Sequence, residues 1–547
     1  MLDYRSTLPR VIAERAESNP DRIWVQEVDG GSLTFGQANA VMDTWAGAFQ
    51  RLGVQSGDRV VTMMQASLNS LQTWLGLSLV RAIDTGVNTD YRGRMLTYII
   101  RNSGAKVLVV AQKYVSRLTE LEVPLGGVEY VIVPDASETF PNIPRVSFLS
   151  AKEFVDGSPA AHDVQLPQPW DIANIIYTSG TTGPSKGVQI PWGQWYAFAE
   201  GAFDTASVNE DDVFYAPLAP FHGGGRMPAL LTAAINARLV VRSQFSGTAF
   251  WSDVRTYGCT VGTLAGTMQS FLYGQEPKED DADNPLRMAV MLPLIPQYKD
   301  FERRFGVRLS TTYAMTETPP VFRTDGEIPN AKTCGRLHRG VAGTEARIVD
   351  EHDMEAAVGT TGELIVRTSV PWTISTGYFG MPDTSISCWR NGWFHTGDAF
   401  RCDEDGYYYF VDRFKDSIRR RGENISSIEV EAEVNSHPAV LESAAIPVPS
   451  EWGEDEIKVL IVLKPNSSLT EETLVIFLVD RAPRFMVPRY VEIVEELPKT
   501  EATQRVRKFE LRENALNDRT WDREKNSIYV PRPPTSYEGR TANEEDE

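Results

Sequence analysis

Four cysteines in 547 residues, Cys259, Cys334, Cys388 and Cys402, are too few and too unevenly spaced for a disulfide framework or a paired-cysteine metal site. They suit a reducing compartment. The chain also lacks any stretch near the ~18 consecutive apolar residues that a membrane span requires, and no charged-then-apolar leader opens it. A cytoplasmic protein without stable membrane insertion is the expectation. Positive charge is scarce: 54 Lys and Arg against 74 Asp and Glu leave a formal net charge of -20. Such a field repels nucleic acid and anionic surfaces at long range, so nucleic acid is not an expected partner. Any phosphate-bearing ligand must therefore be met by a locally basic site.

The chain does have length and apolar content. At ~100–200 residues per domain it is too long for a single core, and 42% hydrophobic residues suffice for several. Thr7 stands where it could cap a first helix, whose Leu8, Val11 and Ile12 share one face and which ends before Asn19-Pro20. Thr34 and Gln37 form a capping-box pattern ahead of Val41, Trp45, Ala48, Phe49 and Leu52, with Gly53 as the stop. Strands are expected at Ile23–Val25, Arg59–Met63 and Val107–Ala111. This alternation of helix and strand signals layered α/β modules.

Chemistry enters at Tyr177-Thr178-Ser179-Gly180-Thr181-Thr182-Gly183-Pro184-Ser185-Lys186-Gly187-Val188. The apolar run Ile172–Ile176 leads in and Val188-Gln189-Ile190 leads out, so the stretch reads as strand, loop, strand. Glycines let backbone N–H groups converge on an anion, the hydroxyls add neutral donors and Lys186 adds charge. It is not a Walker loop, because Pro184 and Ser185 separate Gly183 from Lys186 and the exit is extended rather than helical.

These twelve residues resemble the signature loop of the AMP-forming adenylating superfamily, which includes acyl-CoA synthetases, peptide-synthetase adenylation domains and firefly luciferase. Further segments are similar to other parts of that family. Thr311-Thr312-Tyr313-Ala314-Met315-Thr316-Glu317 resembles its second nucleotide element. By that resemblance Tyr313 flanks adenine, Thr316 contacts phosphate and Glu317 faces Mg²⁺, while Ala314 replaces a frequent glycine. Gly392-Trp393-Phe394-His395-Thr396-Gly397-Asp398 resembles the motif whose aspartate binds both ribose hydroxyls, which implies that role for Asp398. Arg413 is implied to touch ribose as well. His222, in Phe221-His222-Gly223-Gly224-Gly225, matches a histidine beside the acyl or aryl pocket.

The resemblance implies an α/β fold: a large multi-layer N-terminal domain of mixed sheets and helices (residues 1–413) and a small mobile α+β C-terminal domain (417–512). A hinge at 414–416 with Lys415 at its centre joins them, and a polar tail covers 513–547. Gly422 is implied to lie near the channel for pantetheine, where Arg419-Arg420-Arg421 could attract CoA phosphates. The closing segment Leu497–Lys508 resembles a motif with a catalytic lysine on a glycine turn, but here the glycine is missing. Arg505 takes the lysine's place, with Lys508 as the nearest lysine that could substitute. Trp521 and its neighbours resemble the ending of ligases grouped with crotonobetaine/carnitine-CoA ligase.

The expected activity is an ATP-dependent carboxylic acid:CoA ligase working with ATP, Mg²⁺ and CoA, with Lys186, Glu317 and Arg505 as catalytic residues; a homodimer is left open. Alternatives are an adenylating enzyme that uses an amine, a carrier thiol or nitrite, a luciferase-like oxygenase, and an ATP-binding protein that has lost catalysis.

Overall fold

The computed structural model describes residues 5–526 apart from 90, 122–124, 138, 179–184, 205, 266–267, 341, 414–417, 421–422, 451–454, 480, 483–485 and 500–505. Among these residues the chain forms two compact units, one from residues 5–396 and 400–410, the other from 397–399, 411–499 and 506–526.

The first unit is built on two sheets of the same plan. In the first, the strand order is Ser147–Ser150, Tyr130–Val133, Val107–Val110, Arg59–Met63, Ile83–Gly86, Ile172–Thr178 and Lys186–Pro191, parallel until the antiparallel last pair. In the second the order is Arg308–Ser310, Met288–Leu292, Val261–Ala265, Val213–Ala216, Arg238–Val241, Ile23–Glu27 and Ser32–Thr34, again parallel until an antiparallel edge. Strands such as Val107–Val110 and Ile83–Gly86 are buried along their whole length, as expected of parallel strands covered on both faces.

Helices Phe35–Arg51, Leu68–Leu79, Trp192–Ala202 and Gly223–Ile235 contribute to one large core in which Trp24, Trp74, Trp192 and Trp195 are almost wholly inaccessible. Helix Phe35–Arg51 carries the expected capping box, with Thr34 and Gln37 exchanging hydrogen bonds. Helix Leu8–Ser18 buries Leu8, Val11 and Ile12, but Thr7 makes no side-chain cap; a proline in the first turn already fixes φ there.

One ion pair is enclosed in this core. Arg226 donates to Asp84 at 2.8 Å, with both side chains at most 2% exposed. Asp84 also accepts from Thr62 and Asn174, and Trp74 lies under the guanidinium. The guanidinium also donates to Ser70, though its buried Nε has no partner among the described residues, and the network ties helix Gly223–Ile235 to three strands of the first sheet.

A third, eight-stranded sheet runs Thr312–Tyr313, Phe322–Arg323, Thr333–Leu337, Tyr407–Arg413, Trp393–Cys402, Gly362–Thr368 and Thr344–Val349, with Trp389–Arg390 added beside Trp393–Cys402. Residues 397–399 and 411–413 of this sheet cluster with the second unit.

The second unit has a sheet ordered Val440–Pro449, Asp455–Leu463, Tyr490–Ile493 and Trp521–Asp522, helices Ser427–Asn435 and Glu471–Val479, and the hairpin Ile418–Arg420 with Glu423–Ile425. Its core gathers Ile418, Val430, Val434, Val459, Leu474, Leu478 and Val491. Thr470 caps the second helix through the Thr473 N–H, as its position ahead of two glutamates predicts. The architecture is thus α/β, with a large multi-sheet unit and a smaller α+β one. No helix among the described residues is long and apolar enough to cross a membrane.

Candidate active site

The hydroxyl-rich loop grows out of a hairpin. Strands Ile172–Thr178 and Lys186–Pro191 pair antiparallel, with Thr178 opposite Lys186 at the mouth and the Thr178 hydroxyl 3.4 Å from the Lys186 carbonyl. Ser179, Gly180, Thr181, Thr182 and Gly183 lie outside the described residues. The register of the flanking strands brings the first hydroxyl and the lysine of the motif side by side, and the exit from the loop is extended.

A segment from much further along the chain adds to the free edge of this hairpin. The Gln189 N–H donates to the Gly377 carbonyl at 3.0 Å, Thr376 N–H to Gln189 at 3.2 Å and Phe379 N–H to Gly187 at 2.8 Å. This seats Tyr378 against the hairpin. Its ring lies 4.9 Å from the Lys186 ammonium, centroid to Nζ, and its hydroxyl donates to Glu317 Oε1 at 2.9 Å. Burial, then the Glu317 carboxylate, push the phenol far above its ordinary range, so it keeps its proton and acts as a donor.

Glu317 is 7% exposed and its backbone is also engaged, the Ser375 N–H donating to its carbonyl at 2.9 Å. One residue earlier, the Thr316 carbonyl accepts from the buried Gln194 amide at 2.9 Å. Tyr313, on the short strand Thr312–Tyr313, packs edge-on against Phe400 with centroids 4.7 Å apart. Ala314 is exposed. Among the described residues no group of three or more His, Cys, Asp or Glu side chains is arranged to hold a metal ion. A lone carboxylate in this setting matches Mg²⁺, which is commonly held by one or two carboxylates together with substrate phosphates.

His222 is the residue before helix Gly223–Ile235. Its ring packs against Phe221 at 4.8 Å, and its Nε2 is buried without a hydrogen-bond partner. The turn comes very close to the first sheet: a Cβ on Gly86 would meet the Phe221 Cα at 3.1 Å, so a larger residue there would have to push the turn away by a few tenths of an ångström. Desolvation lowers the His222 pKa to about 4, so the imidazole is neutral near pH 7.

In the second unit Asp398 is buried, with the Arg413 guanidinium at 3.5 Å. The intervening Asp412 accepts from both the N–H and the hydroxyl of Ser427, at 2.7 and 2.6 Å, and so seats the first turn of helix Ser427–Asn435. Lys415, Gly422 and Arg505 lie outside the described residues.

Two sequence expectations meet contrary geometry here. Arg420 is not a solvated charge awaiting CoA phosphates: it is 2% exposed, paired with Glu456 at 2.6 Å and bonded to the Val487 carbonyl at 2.8 Å. Lys508 is paired with Glu431 at 2.7 Å and also reaches the Ser427 hydroxyl, so its ammonium is already committed within the unit. Lys499 and Val506, the residues either side of 500–505, form an antiparallel bridge with one another.

Tyr378 is the residue that sequence reasoning passed over. Its signal was present, an aromatic in a glycine-flanked segment after the strand Gly362–Thr368, but nothing local shows that it will meet Lys186 and Glu317. Gln194 carried no signal at all.

The model of the AMP-binding enzyme family matches residues 12–379, and that of the AMP-binding enzyme C-terminal domain matches residues 429–503. The chain is 30% identical over 477 residues to a crotonobetaine/carnitine–CoA ligase of Salmonella arizonae, covering 85% of this chain and 90% of that protein. Among solved structures, ATP-bound MatB from Rhodopseudomonas palustris superposes with a TM-score of 0.79 at 23% identity, covering 92% of this chain and 98% of that one. The o-succinylbenzoate coenzyme A synthetase of Bacillus subtilis in complex with AMP gives a TM-score of 0.80 at 21% identity, covering 94% and 99%.

Proposed function

This chain belongs to the AMP-binding enzyme family, and from that premise we propose that it is an AMP-forming carboxylic acid:CoA ligase. In the first step a carboxylate oxygen attacks the α-phosphorus of ATP, giving an acyl-adenylate and pyrophosphate. In the second the CoA thiolate attacks the acyl carbon, forming the thioester and releasing AMP. The observation that carries this reading is the meeting of Lys186, Tyr378 and Glu317, which puts a cation and a buried carboxylate together at the mouth of a glycine- and hydroxyl-rich loop. The relatedness to CoA ligases over most of the chain supports CoA rather than an amine, carrier thiol or nitrite as partner.

The proposed roles follow from chemistry. Thr178, Ser179, Gly180, Thr181, Thr182 and Gly183 supply hydroxyl and backbone N–H donors to the ATP phosphates, and Lys186 supplies charge. Tyr313 flanks the adenine, Thr316 contacts phosphate, and Asp398 accepts from the ribose hydroxyls with Arg413 beside it. His222, neutral and with a free nitrogen, faces the acid. Glu317 would hold Mg²⁺ together with phosphate oxygens, and the ion would offset phosphate charge. Gly422 borders the path for pantetheine, and Lys415 is the pivot between a large domain (1–413) and a small one (417–512). Four free thiols are in keeping with a cytoplasmic site of action.

Fixed positive charge is what an anionic acid needs to approach an anionic triphosphate. Arg505 is assigned that task, because Lys508 is held by Glu431. The test is to incubate the protein with ATP, Mg²⁺ and a panel of carboxylic acids, with and without CoA, and to identify products by mass. Acyl-CoA and AMP are expected for at least one acid; pyrophosphate release that never depends on an acid would reject the reading. Arg505→Ala should lower acid-dependent pyrophosphate release by about 10²-fold or more, and Lys508→Ala should change it far less.

A further inference from the structure

We propose that Tyr378 is a positioning residue: it orients Glu317 for the metal that accompanies ATP, and its ring holds Lys186 in place beside the phosphate loop. The inference rests on the ligase reading only in taking the bound nucleotide to be ATP with a divalent ion.

Two observations carry it. First, the Tyr378 backbone is not free to move, since the segment Thr376–Phe379 is stitched to the hairpin edge by three backbone hydrogen bonds and its own N–H donates to the Ser385 hydroxyl at 2.8 Å. Second, the side chain is 7% exposed and both of its ends are used, the ring by Lys186 and the hydroxyl by Glu317.

The consequence is geometric. A carboxylate that accepts a fixed hydrogen bond on one oxygen has its plane set, and the second oxygen presents in one direction. Ligand carboxylates are oriented in the same way by partners outside the metal's own coordination shell. The face of the ring meanwhile attracts the ammonium of Lys186, so a single side chain relates the cation to the carboxylate. Residues 186, 317 and 378 are far apart in the chain, and the Tyr378 side chain touches both of the others.

Tyr378→Phe in the full chain tests the idea, because it removes one oxygen and keeps the ring, its packing and its contact with Lys186. Mn²⁺ is titrated against protein and ATP and followed by electron paramagnetic resonance, alongside ATP binding in EDTA. The metal concentration for half-saturation should rise about three- to tenfold, with metal-free ATP binding unchanged. In a Glu317→Gln background the same substitution should add nothing further. An unchanged metal requirement, an equal loss of metal-free ATP binding, or effects that multiply independently in the double variant would each overturn the proposal. Because no acid is needed for this titration, failure of the acid panel to give acyl-CoA would not affect its outcome.

Discussion

His222 illustrates how burial sets the state of one side chain. Its ordinary pKa of 6.5 falls to about 4 in the folded chain, because desolvation penalises the imidazolium. Between those two values the unfolded chain binds a proton that the folded one refuses. Stability contributed by His222 is therefore whole above pH 6.5 and is lost as the pH falls towards 4. Going from about pH 7.5 to about pH 5 should cost about 2 kcal/mol through this residue alone. His222→Gln, compared with the native chain by urea unfolding at the two pH values, should show that much less pH dependence. The same neutrality bears on function: an uncharged imidazole can offer the acid a hydrogen bond without forming an ion pair with it.

At the scale of elements, the stretch from Asn517 to Glu524 is more than polar tail. Trp521–Asp522 pairs antiparallel with Tyr490–Val491 and becomes the fourth strand of the small sheet. It also closes over Lys458 and Glu492, an ion pair of 2.6 Å in which each side chain is 1% exposed. Thr520 accepts from Lys458 at 2.9 Å and Asn517 donates to Glu492 at 3.0 Å. Burial alone would raise the Glu492 pKa, but Lys458 and Asn517 outweigh it and bring it below the usual value. Without this stretch the pair would lose two hydrogen bonds while remaining in a poorly hydrated place. Ending the chain after Asn514 should therefore destabilise the second unit by about 3 kcal/mol, and Thr520→Val by about 1 kcal/mol. Denaturant-dependent hydrogen exchange of residues 455–463, in the full chain and the two variants, measures both.

For the whole molecule, the division into two units with separate cores makes the segment between them decisive for a two-step reaction. Asp412 is held to helix Ser427–Asn435 within the second unit, so a rotation about the proposed pivot Lys415 has to release those two hydrogen bonds. If Lys415 is the pivot, Lys415→Pro should slow thioester formation at least about tenfold while pyrophosphate release in the first step stays within about twofold. Rapid quenching, with acyl-adenylate and acyl-CoA measured separately, distinguishes the two. Equal loss of both steps would place the pivot elsewhere.

Much of the architecture is legible in the order of the residues alone. The capping box at Thr34 and Gln37, the strand Arg59–Met63, the strands flanking Ser179–Gly183 and the cap at Thr470 depend on neighbours within a few residues. Periodicity and side-chain chemistry carry that information locally. What only the tertiary structure decided is which distant groups meet. Arg420 and Lys508 look like free cations in a polar stretch, yet each finds a carboxylate on another element, Glu456 and Glu431, because both are folded into the interior of the small unit. Tyr378 looks like one more aromatic in a glycine-rich turn. It acquires meaning from a backbone pairing with a strand nearly two hundred residues earlier, which brings its ring to Lys186 and its hydroxyl to Glu317. Local sequence determines the elements and the loop prepared for phosphate. Long-range hydrogen bonding and burial determine the charge state, the partners and the orientation of the side chains around it.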